Sequence, residues 1–262
     1  MPVDLNTSVP HSARIYDYLL GGKDNFEADR AAAAAIVEKS PTLPVSMRAN
    51  RQYMARVAHY LAAERGIKQF LDIGTGLPTS PNLHEVVQKA DPTTKIVYVD
   101  NDPIVLVHAR ALMISTPQGR SEYIAADIRD TASILGDKTL RDTLDFTAPI
   151  GLTLIAILML LADEDDPWTT VAQLRDAMPS GSCLAITHPT ADFAPAEVEQ
   201  AVQAATGAGM TLVARDHDAV RRLFGDWEML EPGLVPVSSW RPDAEVDHPE
   251  AAYYWAGVAR KP

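Results

Sequence analysis

The sequence predicts an α/β fold: a doubly wound, Rossmann-like and mostly parallel sheet of seven strands, flanked by helices and closed by an antiparallel last strand. Three observations carry this. The apolar run 67–73 ends in Asp72 and the turn Gly74-Thr75-Gly76, and a helix-like stretch follows over 82–90, which is strand, tight turn and helix. The β-branched and aromatic run Lys95-Ile96-Val97-Tyr98-Val99-Asp100 closes on an acid near the ~20-residue spacing at which a carboxylate meets a ribose hydroxyl. The last two strand-like runs, 227–237 and 253–259, are joined by a polar segment with no helix, which suits an antiparallel hairpin.

The remaining elements fall in order. Residues 1–10 read as a loose tail, and 13–20 as a short helix with Ile15, Leu19 and Tyr16, Leu20 at helical spacing before Gly21-Gly22. The cluster Lys23-Asp24-Asn25-Phe26 is either a surface turn or part of a lid. As a lid it brings Tyr16, Lys23 and Asp24 over the crevice, with Lys23 meeting a ligand carboxylate. An alanine-rich helix over 27–39 ends at Pro41 and Pro44, and 46–65 forms a longer amphipathic helix with Met47, Met54, Val57, Ala58 and Leu61 inward. Arg48 and Arg51 are read as its solvated face. Asp102-Pro103 opens the next helix, with Ile104, Val107, His108 and Ala111 inward.

A third strand over 122–126 delivers Asp127-Ile128 at its carboxyl end, and Asp130 caps a helix over 131–140. The run 150–161 reads as one buried central strand. The acids 163–166 meet the dipole of a helix over 168–178. The fifth strand, 182–187, leads to Thr187-His188-Pro189, where His188 is a candidate general base. Helices over 196–205 and 218–224 precede the sixth strand, which Pro232-Gly233 interrupts. Residues 1–45 are expected to form an N-terminal helical lid and 46–262 the main domain.

The turn also suggests its ligand. A dinucleotide fingerprint needs a third glycine where Thr79 stands, and Asp72 beside the crevice would repel two phosphates. The same carboxylate attracts an ammonium or a sulfonium, and S-adenosylmethionine carries both. Asp72, Gly74, Thr75 and Gly76 are expected at its amino-acid end, Asp100 and Asn101 at the ribose, and Asp127 and Ile128 at the adenine. Tyr16, Lys23 and His188 remain for the acceptor side, with Tyr16 and His188 as the catalytic candidates.

Composition sets the bounds. A chain of 262 residues with 47% hydrophobic residues supplies one α/β domain with a full core. Its net charge of −12 argues against nucleic acid as partner. The single Cys183 excludes an intramolecular disulfide and suits a reducing compartment. The start of the chain lacks the pattern of a signal peptide, and the longest apolar run falls short of the ~20 residues that span a bilayer. A cytoplasmic protein with no membrane contact is expected. His108 has no second ligand at metal spacing, the acids 163–166 are read as a helix start with a metal site as the lesser alternative, and no metal is expected.

The motif Ala13-Arg14-Ile15-Tyr16-Asp17-Tyr18-Leu19-Leu20-Gly21-Gly22-Lys23-Asp24-Asn25-Phe26 resembles the opening of a bacterial family of S-adenosylmethionine-dependent methyltransferases, long catalogued as a domain of unknown function. Residues 70–78, Tyr98-Val99-Asp100-Asn101-Asp102-Pro103, Glu164-Asp165-Asp166-Pro167, 231–235 and Trp240-Arg241-Pro242 are similar too. The resemblance spans nearly the whole chain. It implies a class I methyltransferase fold and bound S-adenosylmethionine, with no acceptor specified. One segment departs: similar members often carry Leu-His-Phe where this chain has Leu158-Met159-Leu160. Three functions are therefore weighed: a small-molecule O- or N-methyltransferase, which is favoured; a non-catalytic S-adenosylmethionine-binding regulator; and a nicotinamide-dependent oxidoreductase.

Overall fold

The computed structural model describes residues 6–112 and 114–262. Strands β1 (Gln69–Ile73), β2 (Lys95–Asp100), β3 (Arg120–Ala125), β4 (Gly151–Ile155) and β5 (Cys183–Pro189) are parallel. The short β6 (Glu228–Met229) and β7 (Val235–Pro236) both pair antiparallel with β8 (Tyr254–Arg260), which is itself antiparallel to β5. The order across the sheet is β3-β2-β1-β4-β5-β8-β6, with β7 beside β8. Leu230 continues the β6 ladder by donating its amide to Val258 O at 2.8 Å, and Gly233 then turns at φ +90°. β6 and β7 are thus two pieces of one edge strand, broken where Pro232 lacks a donor. Counted that way, the sheet has the seven positions expected.

The helices are α1 (Ser12–Leu19), α2 (Glu27–Lys39), α3 (Leu43–His59), α4 (Leu83–Ala90), α5 (Pro103–Leu112), α6 (Thr131–Gly136), α7 (Lys138–Thr143), α8 (Pro167–Ala177), α9 (Pro195–Gly207) and α10 (His217–Leu223). The period of two along each strand divides the sheet between two cores. Phe70, Ile96, Tyr98 and Ala185 pack with Met47, Tyr53 and Val57 of α3, Val87 of α4 and Ala201 of α9. Leu71, Val97, Leu152 and Leu184 pack with Ile134 of α6, Val171 and Leu174 of α8 and Val220 of α10. Burial on both faces explains why the strands read as unbroken apolar runs.

Several expected boundaries change. The run 150–161 is strand only to Ile155. Ala156 adopts φ +54° with its amide donated to Thr187 Oγ1 at 3.0 Å, and Leu158–Leu160 forms a 3-10 turn. The helix expected over 131–140 is two, because Asp137 adopts an extended conformation and accepts the Thr139 amide at 2.6 Å, starting α7 anew. Asp130 caps α6 as read, accepting the Ser133 amide at 3.0 Å. On α5 the buried residues are Ile104, Val105 and Ala109, whereas Val107 is 57% exposed. The reading of Ala111 as inward-facing and the tail 1–5 lie outside what the structure describes. Among the described residues no helix is long and apolar enough to cross a membrane, and no group of side chains could hold a metal ion.

Candidate active site

Parallel order reverses between β1 and β4, and in open α/β sheets ligands bind at the carboxyl ends of strands beside such a switch. A cavity of about 320 Å³ lies there, within the range of about 300–1,000 Å³ of small-molecule sites. The turn after β1 forms its floor. Gly74 at φ +78° and Gly76 at φ +66° take left-handed conformations open to glycine. A Cβ on Gly74 would also come within 2.6 Å of the Ile157 side chain.

The acids around this turn are held by named donors. Asp72 accepts the Thr75 hydroxyl at 2.6 Å and the Thr153 hydroxyl at 2.5 Å. Burial raises its pKa against those bonds and the charge of Arg51. Asp100 accepts the Gly76 amide at 2.8 Å and the Asp102 amide at 2.9 Å, and burial raises its pKa as well. Each Asp100 oxygen keeps a free lone pair. The acid that ends β2 and the glycine turn that ends β1 are one hydrogen-bonded unit.

Asn101, Asp127 and Ile128 line the same cavity. Asn101 donates to Asp127 at 2.9 Å. Burial pushes the Asp127 pKa up, but hydrogen bonds from Arg129 and Asn101 and the Arg129 charge leave it lowered overall. Tyr16 reaches the cavity from α1, donating its hydroxyl to Met47 O at 3.2 Å, and burial raises its pKa. Two expected residues are not brought here. Lys23 is exposed outside the lining, because Asp17 accepts both the Asp24 amide at 3.0 Å and the Asn25 amide side chain at 2.8 Å, curling that turn back onto α1. His188 is fully buried behind the wall. Its Nδ1 donates to Pro189 O at 2.9 Å, and its Nε2 accepts from Arg215 at 2.9 Å. With both nitrogens occupied and no access to the cavity, it cannot serve as the base proposed for it.

Residues 1–262 match a family model described as S-adenosyl methyltransferase. The chain belongs to the S-adenosyl methyltransferase family. A DUF574-family protein from Streptomyces avermitilis is 48% identical, with a TM-score of 0.96 over 99% of this chain and 100% of that one. A candidate methyltransferase from Thermobifida fusca is 40% identical, with a TM-score of 0.90 over 98% of this chain and 97% of that one. Human N-acetylserotonin methyltransferase, solved with S-adenosylmethionine, is 14% identical with a TM-score of 0.50 over 97% of this chain and 63% of that one, a likeness of fold. No protein of curated function matches the chain.

The site of this methyltransferase fits its cofactor, S-adenosylmethionine. A Cβ at Gly76 would project into open space at the turn, Asp100 offers paired oxygens at a strand end, and Asp72 is a half-buried carboxylate lining the cavity. Arg51 adds what sequence reading missed. It lines the cavity, donates to Thr79 O and, at 2.6 Å, to Pro81 O, and keeps its Nε buried without a hydrogen-bond partner. Such an orphaned donor is costly unless a ligand acceptor meets it. A signal was present, since Arg51 stands four residues after Met47 and three before Met54, on the apolar stripe of α3. The opposite wall carries Met159, whose sulfur accepts the Tyr254 hydroxyl at 3.3 Å, together with Met210.

His188 has a measurable consequence. Desolvation depresses its pKa to about 4, against an ordinary value of about 6.5. The neutral form that the fold requires is therefore fully favoured above about 6.5, and its contribution is lost as pH falls from there through about 4. The unfolded chain binds the extra proton in that window, which makes the effect worth about 3 kcal/mol. Denaturant unfolding at pH 7.5 and pH 4.5 should show that loss in the native chain, and His188→Gln should show a smaller one. Parallel pH dependences in the two proteins would refute the assignment.

Proposed function

We propose that this methyltransferase acts on a small-molecule nitrogen or oxygen nucleophile. The observation that carries the reading is a single cavity that joins the glycine turn, Asp100 and Asp127 to a wall formed by Tyr16, Met159 and Met210. Bound S-adenosylmethionine supplies a methyl group already activated on a sulfonium. Asp72 would receive its ammonium group and Arg51 its carboxylate. Asp100 would accept from the ribose hydroxyls, and Asn101, Asp127 and Ile128 would enclose the adenine. Tyr16, a neutral phenol held by Met47 O, would shape the acceptor side by contact and orientation.

Holding two reactants in line supplies most of the rate in such a transfer. A neutral amine attacks without a base, so the site does not need the imidazole that the sequence suggested. The cavity suits a compact acceptor, and a net charge of −12 disfavours nucleic acid. The free, buried Cys183 suits work in the cytoplasm. Residues 6–45, the described part of the N-terminal extension, act as the lid, with α1 at the crevice. Calorimetric titration of the purified chain with S-adenosylmethionine should give micromolar affinity, and incubation with panels of amines and phenols should release S-adenosylhomocysteine. Binding without product from any acceptor would favour the regulatory alternative. No binding would end the cofactor reading.

A further inference from the structure

The lid is fastened to the cofactor site through one residue that does not touch it. Asp102 is buried, lies outside the cavity lining and follows Asp100 by two positions. Its amide donates to Asp100 Oδ1 at 2.9 Å, and its own Oδ1 accepts the Ile104 amide at 2.9 Å. Its other oxygen faces the lid, 3.2 Å from His11 Nδ1 and 3.5 Å from Arg14 Nε. His11 Nδ1 also lies 3.3 Å from the Ala13 amide that it caps. Nδ1 accepts that amide, so His11 stands beside Asp102 as a neighbour and not as a hydrogen-bond donor, and Arg14 supplies the charge that faces the carboxylate.

A second buried acid completes the fastening. Asp29 accepts the His11 amide at 2.9 Å and the Phe26 amide at 2.8 Å, and it stands 3.7 Å from Arg14. Buried Arg14 therefore sits between two carboxylates. At the far end of the strap, Asp24 lies 3.5 Å from His108 of α5, both partly exposed.

The segment that these pairs hold is part of the cavity wall. Pro10, His11, Ala13 and Tyr16 line the cavity. The segment is also anchored by apolar contacts: Ile15 and Leu19 join Ala32 and Ala33, Ala13 and Phe26 rest on Leu77, Ile104 and Val105, and Tyr16, Leu19 and Leu20 pack against the main core. The next element is tied down, because Glu197 of α9 accepts from Ser40 at 2.8 Å and from Thr42 at 2.7 Å.

We infer that Asp102 is a positioning residue that couples closure of residues 6–26 over the cavity to the orientation of Asp100. It acts through Asp100 on one side and through His11 and Arg14 on the other. The inference rests on the cofactor reading of the preceding section. Cofactor exchange is then limited by release of this latch.

Stopped-flow measurement of S-adenosylhomocysteine binding to the full chain tests it. Asp24→Asn loosens the exposed end of the strap and should raise association and dissociation rate constants alike, by about threefold, leaving affinity unchanged. Asp102→Asn should raise dissociation by about tenfold and association less, because a buried charge pair governs the off-rate. Its affinity falls, and Asp102→Glu should recover part of it. A lowered melting temperature with native rate constants would mean a merely structural role and overturn the inference. If Asp102→Asn does not fold, Asp24→Asn and His11→Gln decide, and native rate constants in both overturn it. A native chain that fails to bind S-adenosylhomocysteine overturns the cofactor reading, and this inference with it.

Discussion

Asp100→Ala is expected to weaken S-adenosylmethionine binding by about a hundredfold, which corresponds to about 2.7 kcal/mol. The substitution removes a buried carboxylate that accepts the Gly76 and Asp102 amides and still has lone pairs for ribose hydroxyls. Hydrogen bonds to charged groups contribute about 1.5–3 kcal/mol each. Losing the ribose contacts and loosening the glycine turn act in the same direction. Asp100→Asn keeps one acceptor oxygen and should fall between native and alanine. Calorimetric titration of the three proteins, each first shown to unfold cooperatively, measures the effect. Native affinity in Asp100→Ala would remove Asp100 from the cofactor site.

The second large effect is on stability. Arg215 is buried and donates to Leu158 O at 3.1 Å, Leu161 O at 2.9 Å, Asp163 at 2.7 Å and His188 Nε2 at 2.9 Å. These bonds span the 3-10 turn that carries Met159 and Leu160 to the cavity. Arg215→Met leaves the Leu161 carbonyl and His188 Nε2 without partners and the Leu158 carbonyl with the Leu161 amide alone. Asp163 is exposed, so the cost comes from the buried acceptors, about 1–3 kcal/mol for each left unsatisfied, which should lower the melting temperature by roughly 10 °C. At temperatures where the variant stays folded, a looser wall should raise KM for the acceptor more than it lowers kcat. A melting temperature within a degree of native would show that the network contributes little.

Much of the site was legible because its residues are local to strand ends. Asp72 and Asp100 stand in the last two positions of their strands, Gly74, Gly76 and Asp127 follow a strand within a few positions, and the parallel order brings these strand ends to one edge. Arg51 was legible only in part: its place on the apolar stripe of α3 marked it as unusual, but no spacing tells which cavity such a stripe faces. His188 misled for the same reason. A strand-end histidine looks available until β8 pairs with β5 and Arg215 closes over it.

The run 150–161 shows where local pattern fails. Apolar character is the same for a strand and for a buried turn, so the end of β4 could not be read. What ends it is a hydrogen bond from the Ala156 amide to the Thr187 hydroxyl, a side chain of a different element. The latch is similar. His11, Arg14, Asp29 and Asp102 are ordinary polar residues in sequence, and only the packing of α1 against α2 and the start of α5 makes them neighbours.

The sequence by itself determined the fold class, the order of strands and helices, and the cofactor chemistry. These depend on periodicity and on short strand-turn-helix units, which a chain carries within a few dozen residues. Tertiary structure alone decided which side chains share the cavity, which imidazole is sealed away and which acids hold the lid. Those outcomes depend on contacts between residues far apart in the chain, where burial and hydrogen-bond partners set charge and access.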